Sequence, residues 1–215
     1  GIPSFEKLEL RFQVATEAPN PYFPYDAAPP SGIEPGIGVS VDALFSPDDW
    51  QTIYAQPAFF YQEFTHEFGG DREWIYPTDT FAWLVRFSPN VPGDWQYRLV
   101  VEDDKGRSTT EAFAFAVSES DNRGFIRVSE SDPRYFEFED GTYFSALGYN
   151  LSYNRLGWLN PVLDNRDNFA FFSENGIQLL RLWLTHWSIF GSAWNPWIGQ
   201  QNNYAGYVPM TGLVH

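Results

Sequence analysis

The sequence predicts a multidomain, mostly β chain: an antiparallel β-sandwich (Ig-like) over residues 1–118, then a region in which strand, helix and strand follow one another. Three observations predict it. Apolar residues recur with period two through the first 118 positions, turn-forming Pro/Gly/Asp clusters separate those runs, and after residue 119 the periodicity changes to include one helix.

Leu8, Leu10, Phe12 and Val14 alternate with Glu9, Arg11 and Gln13, so one side of the strand faces a core and the other faces water. The pattern repeats at Val39–Phe45, Phe81–Phe87, Trp95–Val101 and Phe113–Val117, and a shorter run at Ala58–Phe64 adds a further strand. The connections Ser88–Asp94 and Asp103–Gly106 are short and turn-forming, which favours antiparallel neighbours. Several such strands make a sandwich. Residues 19–36 are too rich in proline and glycine for a regular element and read as an ordered surface loop. Trp83 and Trp95 fall in phase with the apolar positions and belong to the core. Tyr22, Tyr25, Trp50, Trp74 and Tyr76 read as loop aromatics. They either offer flat platforms to sugar rings or pin the loops to the body.

Ser118–Gly124 is polar and turn-forming, which suits a boundary, and residues 119–134 read as a linker leading into a second region at 135–215. There Tyr135–Glu139 and Thr142–Asn150 flank Asp140-Gly141, a hairpin signal. Glu137 and Glu139 oppose Phe136 and Phe138 and so read as a solvated strand face. Asp164 or Asn165 can cap a helix that presents Phe169, Phe171 and Phe172 and ends at Gly176, and Ile177–Leu184 reads as a buried strand. Strand, helix, strand over 142–184 is a βαβ unit with parallel strands.

The chain carries a formal net charge of −15 and only two lysines, Lys7 and Lys105, so nucleic acid and anionic membrane surfaces would repel it. With 43% hydrophobic and 19% aromatic residues in 215, a sizeable core is available, and no run of about 18 apolar residues predicts membrane insertion. No cysteine is present, and His66, His186 and His215 have no metal-ligand spacing. Gly69-Gly70 lacks the Lys-Ser/Thr of a phosphate loop, so no cofactor is expected. Glu102-Asp103-Asp104 lacks the alternating ligands of a calcium loop and reads as a solvated turn.

Phe5-Glu-Lys-Leu-Glu9, Asn20-Pro-Tyr22, Trp83-Leu-Val-Arg-Phe-Ser-Pro89 and Pro92-Gly-Asp-Trp-Gln-Tyr-Arg98 resemble the β-sandwich domain that precedes the barrel in a group of bacterial glycoside hydrolases. In the same order, Gly124-Phe-Ile-Arg-Val128, Tyr135–Gly141, Ala146-Leu-Gly-Tyr-Asn150, Asn175-Gly-Ile177 and Leu180-Arg-Leu-Trp183 look like the linker, hairpin and first two strands of a clan A (cellulase-like) (β/α)8 barrel. The resemblance implies a secreted or cell-surface enzyme that hydrolyses glycosidic bonds with two carboxylic acids in a retaining mechanism. It puts those acids on barrel strands four and seven, beyond His215, so this chain is expected to hold no catalytic residue. It would be inactive alone and would need the rest of its barrel, or another chain, to cover the edge of the βαβ unit.

The expected partner is carbohydrate, met at the rim of the first two barrel strands. Arg181 lies in an apolar strand, where a guanidinium needs a carboxylate or several acceptors. By resemblance it supports the nucleophile's carboxylate; otherwise it reaches a peripheral salt bridge. Tyr149 and Asn150 end the first strand on the side where barrel sites form. His186 and Trp187 follow the second strand as candidates for sugar contact, and Trp183, Trp194 and Trp197 read as packing. Asn150-Leu-Ser152 also spells a glycosylation sequon, which a barrel-mouth position would shield. The alternative reading is a non-catalytic glycan-binding or surface-structural protein. Sugar, linkage and oligomeric state have no signature in the sequence.

Overall fold

The computed structural model describes residues 1–69, 72–151 and 161–182. Among them the chain is mostly β, with one helix and no complete barrel. It divides into two compact units. One comprises 1–62, 80–125 and 138–140, and the other 63–79, 126–137 and 141–215.

In the first unit two sheets share a core. The larger has the order β1 (Ile2–Pro3), β9 (Phe113–Ser118), β7 (Gly93–Asp103), β3 (Ser40–Ser46), β4 (Tyr54–Pro57), with β8 (Gly106–Thr109) also paired to β7. It is mixed, because β1 runs parallel to β9 whereas β3 and β9 pair antiparallel with β7. The smaller sheet has the order β2 (Leu8–Phe12), β6 (Arg72–Phe87), β5 (Phe59–Gly69), of which residues 8–12, 59–62 and 80–87 belong to this unit. The register Phe12↔Trp83, Leu10↔Val85, Leu8↔Phe87 sets apolar residues opposite one another on one face.

That face meets the larger sheet's inward residues. Ala43, Phe45, Trp95 and Val117 from the larger sheet cluster with Val85 from the smaller. Phe45 stacks on Phe87 at 4.0 Å between ring centroids. A second cluster joins Val39 and Val41 to Trp83. Trp83 and Trp95 are both buried, as their phase predicts, and the indole N–H of Trp95 donates to the Val91 carbonyl at 2.9 Å. Each fully buried aromatic or aliphatic side chain contributes roughly 1.5–3 kcal/mol by removing apolar surface from water.

The 19–36 segment has no helix or strand and is held by its backbone. The Asn20 N–H donates to Ile37 O, the Val39 N–H to Phe23 O, and the Tyr25 N–H to the Ser40 hydroxyl, all within 3.0 Å. Gly38 is what permits this closeness. A Cβ there would lie 2.4 Å from Pro24 O and 2.5 Å from Phe23 O. Strands β1, β4 and β8 go beyond the sequence expectation, being short and containing proline or only polar residues and glycine. β5 and β6 are longer than their apolar alternation, so Trp74 and Tyr76, read as loop aromatics, stand on a strand.

In the second unit β10 (Ile126–Val128), β11 (Phe136–Phe138) and β12 (Tyr143–Phe144) form a three-stranded sheet inside the stretch first read as linker and hairpin. Gly141, at φ 82°, makes the expected β11–β12 turn. Two expectations fail here. The run 142–150 is not one strand, because the Leu147 N–H turns back to Ser145 O at 2.7 Å and hands the chain from β12 to β13 (Gly148–Leu151), which belongs to another sheet. Nor is Glu137 solvated. It is 8% exposed, with Arg127 Nη2 at 3.0 Å, while Phe136 opposite it is 45% exposed. Glu139 is exposed as expected, and Glu137 alone turns inward, because a guanidinium on the neighbouring strand compensates its carboxylate.

β13 pairs parallel with β14 (Leu179–Leu182), and α1 (Pro161–Glu174) connects them. The helix begins ahead of Asp164 and Asn165, with proline in its first turn, where a missing N–H costs nothing. Its end is a complete Schellman motif. Gly176 is left-handed (φ 72°), its N–H donates to Ser173 O, and the Ile177 N–H donates to Phe172 O at 2.9 Å. Ile177 and Phe172 then pack together with Leu151 and Leu180.

Candidate functional site

The parallel register pairs Gly148 with Leu179, Tyr149 with Leu180, Asn150 with Arg181 and Leu151 with Leu182. Side chains alternate along each strand and paired residues share a face. Tyr149, Leu151 and Leu180 therefore lie on one side, and Asn150, Arg181 and Leu179 on the other. The first side carries the helix: Leu151 and Phe172 are buried together, and the Tyr149 ring sits 4.7 Å from that of Phe172. On the second, Asn150, Leu179 and Arg181 are all exposed.

Two of the sequence-derived candidates thus come together. Asn150 and Arg181 are register partners on the face away from α1, while Tyr149 stands on the helix face. Arg181 was expected to be buried among its apolar neighbours. It is exposed, on the side of the strand opposite to that of Leu180. Chemically the pair offers a planar guanidinium fork suited to a carboxylate and an amide that can donate and accept at once, the combination that reads hydroxyl groups. Gly148 keeps this face shallow, since a Cβ there would meet Leu179 O at 3.2 Å. His186, Trp187, Trp183, Trp194 and Trp197 lie outside the described residues.

The aromatics of the first unit are mostly engaged. The Tyr22 ring packs edge-on against Phe60 at 4.9 Å, and burial pushes its hydroxyl pKa up. The indole of Trp50 donates to Gln96 Oε1 at 3.0 Å and lies beneath the Arg98 guanidinium, 4.3 Å from the ring centroid. Tyr25 is half-buried. Tyr76, on the part of β6 that belongs to the second unit, is 48% exposed.

A polar cluster in the second unit centres on Glu137, which the sequence reading had placed on a solvated strand face. Glu137 Oε1 accepts from the Glu130 N–H at 3.3 Å and faces Arg127, which also reaches Glu130 at 2.7 Å. Hydrogen bonding by Ser129, aided by the Glu130 N–H and the Arg127 charge, holds the Glu137 carboxyl below the usual carboxylate range. Its one sequence signal is Arg127 between Ile126 and Val128, a cation set into a β-branched run. Among the described residues no group of three or more His, Cys, Asp or Glu is placed to hold a metal, and no helix is long and apolar enough to cross a membrane.

The sequence matches no protein-family model and no curated protein. One solved structure, titled as that of a "putative glycoside hydrolase" from Bacteroides vulgatus ATCC 8482, is similar at 19% identity with a TM-score of 0.44. The similarity covers 73% of this chain and 23% of that one, so this chain spans well under half the length of that protein.

Proposed function

We propose that this chain is the N-terminal part of a secreted glycoside hydrolase acting on a polysaccharide or oligosaccharide. In this reading the first unit is a β-sandwich and the β13–α1–β14 unit opens a (β/α)8 barrel. The observation that carries the reading is the two-sided β13/β14 pair, with α1 packed on one face and Asn150 and Arg181 together on the other. In a barrel, helices cover the outer face of the strands, and sites form at the strands' C-terminal ends. The ordered motif series in the sequence supports the same reading. Asn150 would then hold a substrate hydroxyl, and Arg181 would support the carboxylate of a nucleophile contributed by a later strand.

The test is the intact mass of the native protein together with reducing-sugar release from a panel of glucans, xylans, mannans and galactans. A native mass well above 24.7 kDa with cleavage of at least one polymer is the expected result. A native protein of 24.7 kDa that cleaves none of them refutes the reading.

A further inference from the structure

Residues between 129 and 143 line an open pocket of about 350 Å³, among them Ser129, Ser131, Asp132, Tyr135, Glu137 and Tyr143. Neither Asn150 nor Arg181 contributes to it. We propose that this pocket binds a neutral sugar, one or two rings of an oligosaccharide, at a site built from different residues than the barrel face described above.

Three features converge on that ligand. The first is the wall. Tyr135 and Tyr143 are 48% and 63% exposed, and their rings stand 6.1 Å apart at 71°. One ring can offer its face to the C–H side of a pyranose while the other closes the edge. The second is a set of fixed acceptors. Arg134 clamps Asp132 through Nε at 2.9 Å and Nη2 at 2.6 Å, and Glu137 is held by Arg127 and by the Glu130 N–H. Carboxylates immobilised before binding can accept hydroxyl protons without an ordering cost at the moment of contact.

The third feature is charge balance. The local carboxylates Glu130, Asp132 and Glu137 face the guanidiniums of Arg127 and Arg134, so the pocket is close to neutral with a slight negative excess. An anionic sugar or phosphate would be opposed by the carboxylates and by the chain's net −15. A cation would find most of its attraction already taken by the arginines. A neutral polyol needs only acceptors, exchangeable hydroxyls such as those of Ser129 and Ser131, and an apolar wall, and all three are present. The volume lies at the lower end of the roughly 300–1,000 Å³ of small-molecule sites, which fits one or two rings.

The proposal shares its carbohydrate class with the function proposed above and rests on other residues, so the two can fail separately. The experiment is an amide NMR titration of the full chain with cellotetraose, xylotetraose, mannotetraose and β-1,4-galactotetraose. At least one should produce saturable shifts in 129–143, with a Kd on the order of 1 mM. Tyr143→Ala should weaken that binding by about tenfold or more. Tyr143→Phe should keep it, and Asn150→Ala should leave it unchanged. The proposal is overturned if none of the four tetrasaccharides shifts these amides in the folded chain. It is equally overturned if Tyr143→Ala lowers Tm while leaving the shifts intact, because the ring would then be packing and not a platform. Shifts at 129–143 in a native protein that cleaves no glycan would reject the hydrolase reading and keep this one.

Discussion

Phe45, between Leu44 and Ser46, and Phe136, between Tyr135 and Glu137, each sit on a strand, yet Phe45 is 0% exposed and Phe136 is 45% exposed. The difference lies in what each strand is given to pack against. Phe45 lies between two sheets and touches Phe87, Tyr97 and Phe115. The sheet holding Phe136 has three strands of two or three residues, and its buried residues are Glu137 and Phe144, one on each face. Alternation therefore fixes which residues share a face, whereas the burial of each residue is decided by the available partner. A second sheet draws in phenylalanine, and a guanidinium draws in a carboxylate.

The sharpest way to break this contrast is to truncate one residue in each region. Trp95→Ala should destabilise the first unit by about 3–5 kcal/mol in urea unfolding, through lost burial and the cavity left behind. Phe136→Ala should cost no more than about 0.5 kcal/mol. Equal costs would mean that the second sheet is as well packed as the first. Next in size, Gly38→Ala should cost about 1–3 kcal/mol, because its methyl would overlap the Phe23 and Pro24 carbonyl oxygens. The loss should appear as faster hydrogen exchange at Tyr25 and Val39.

Gly176→Ala forces a side chain into the left-handed region that closes α1 and should cost about 1–2 kcal/mol. Exchange should accelerate in 166–182 and not at Trp95 or Val85. The smallest effect is pH-dependent. The folded pKa of Glu137 is lowered, so the stability it lends is complete above its unfolded value of about 4.3 and is lost as pH falls through the folded value. Glu137→Gln should flatten that part of the acid-unfolding curve for residues 126–144, followed by residue-resolved NMR. An unchanged slope would mean that the Arg127 contact contributes nothing.

Much of the first unit was legible because its strands are long enough to show their period. Five alternating runs became β2, β3, β6, β7 and β9, and Trp83 and Trp95 fell inside. β1, β4 and β8 escaped because two to four residues carry no readable period, and their pairing is decided by the strand next to them. In the second region Gly141 and Gly176 announced their turns, since each needs a positive φ. The break at Ser145–Leu147 and the burial of Glu137 depend on contacts distant in sequence or on a backbone hydrogen bond with no residue signature. At the candidate site, strand position together with the family resemblance singled out Asn150 and Arg181, but the register that makes them neighbours required the structure. The Tyr135/Tyr143 wall was hidden because each ring reads as an ordinary strand aromatic.

The most direct test of the glycoside-hydrolase account is steady-state cleavage of a glycan substrate by the native protein carrying Asn150→Ala or Arg181→Ala, one at a time. If the face away from α1 meets the reacting sugar, kcat/KM should fall by about a hundredfold or more for Arg181→Ala and by about tenfold for Asn150→Ala. Tyr149→Phe, on the helix face, should leave it within about twofold. Full activity in both Asn150→Ala and Arg181→Ala would contradict the account.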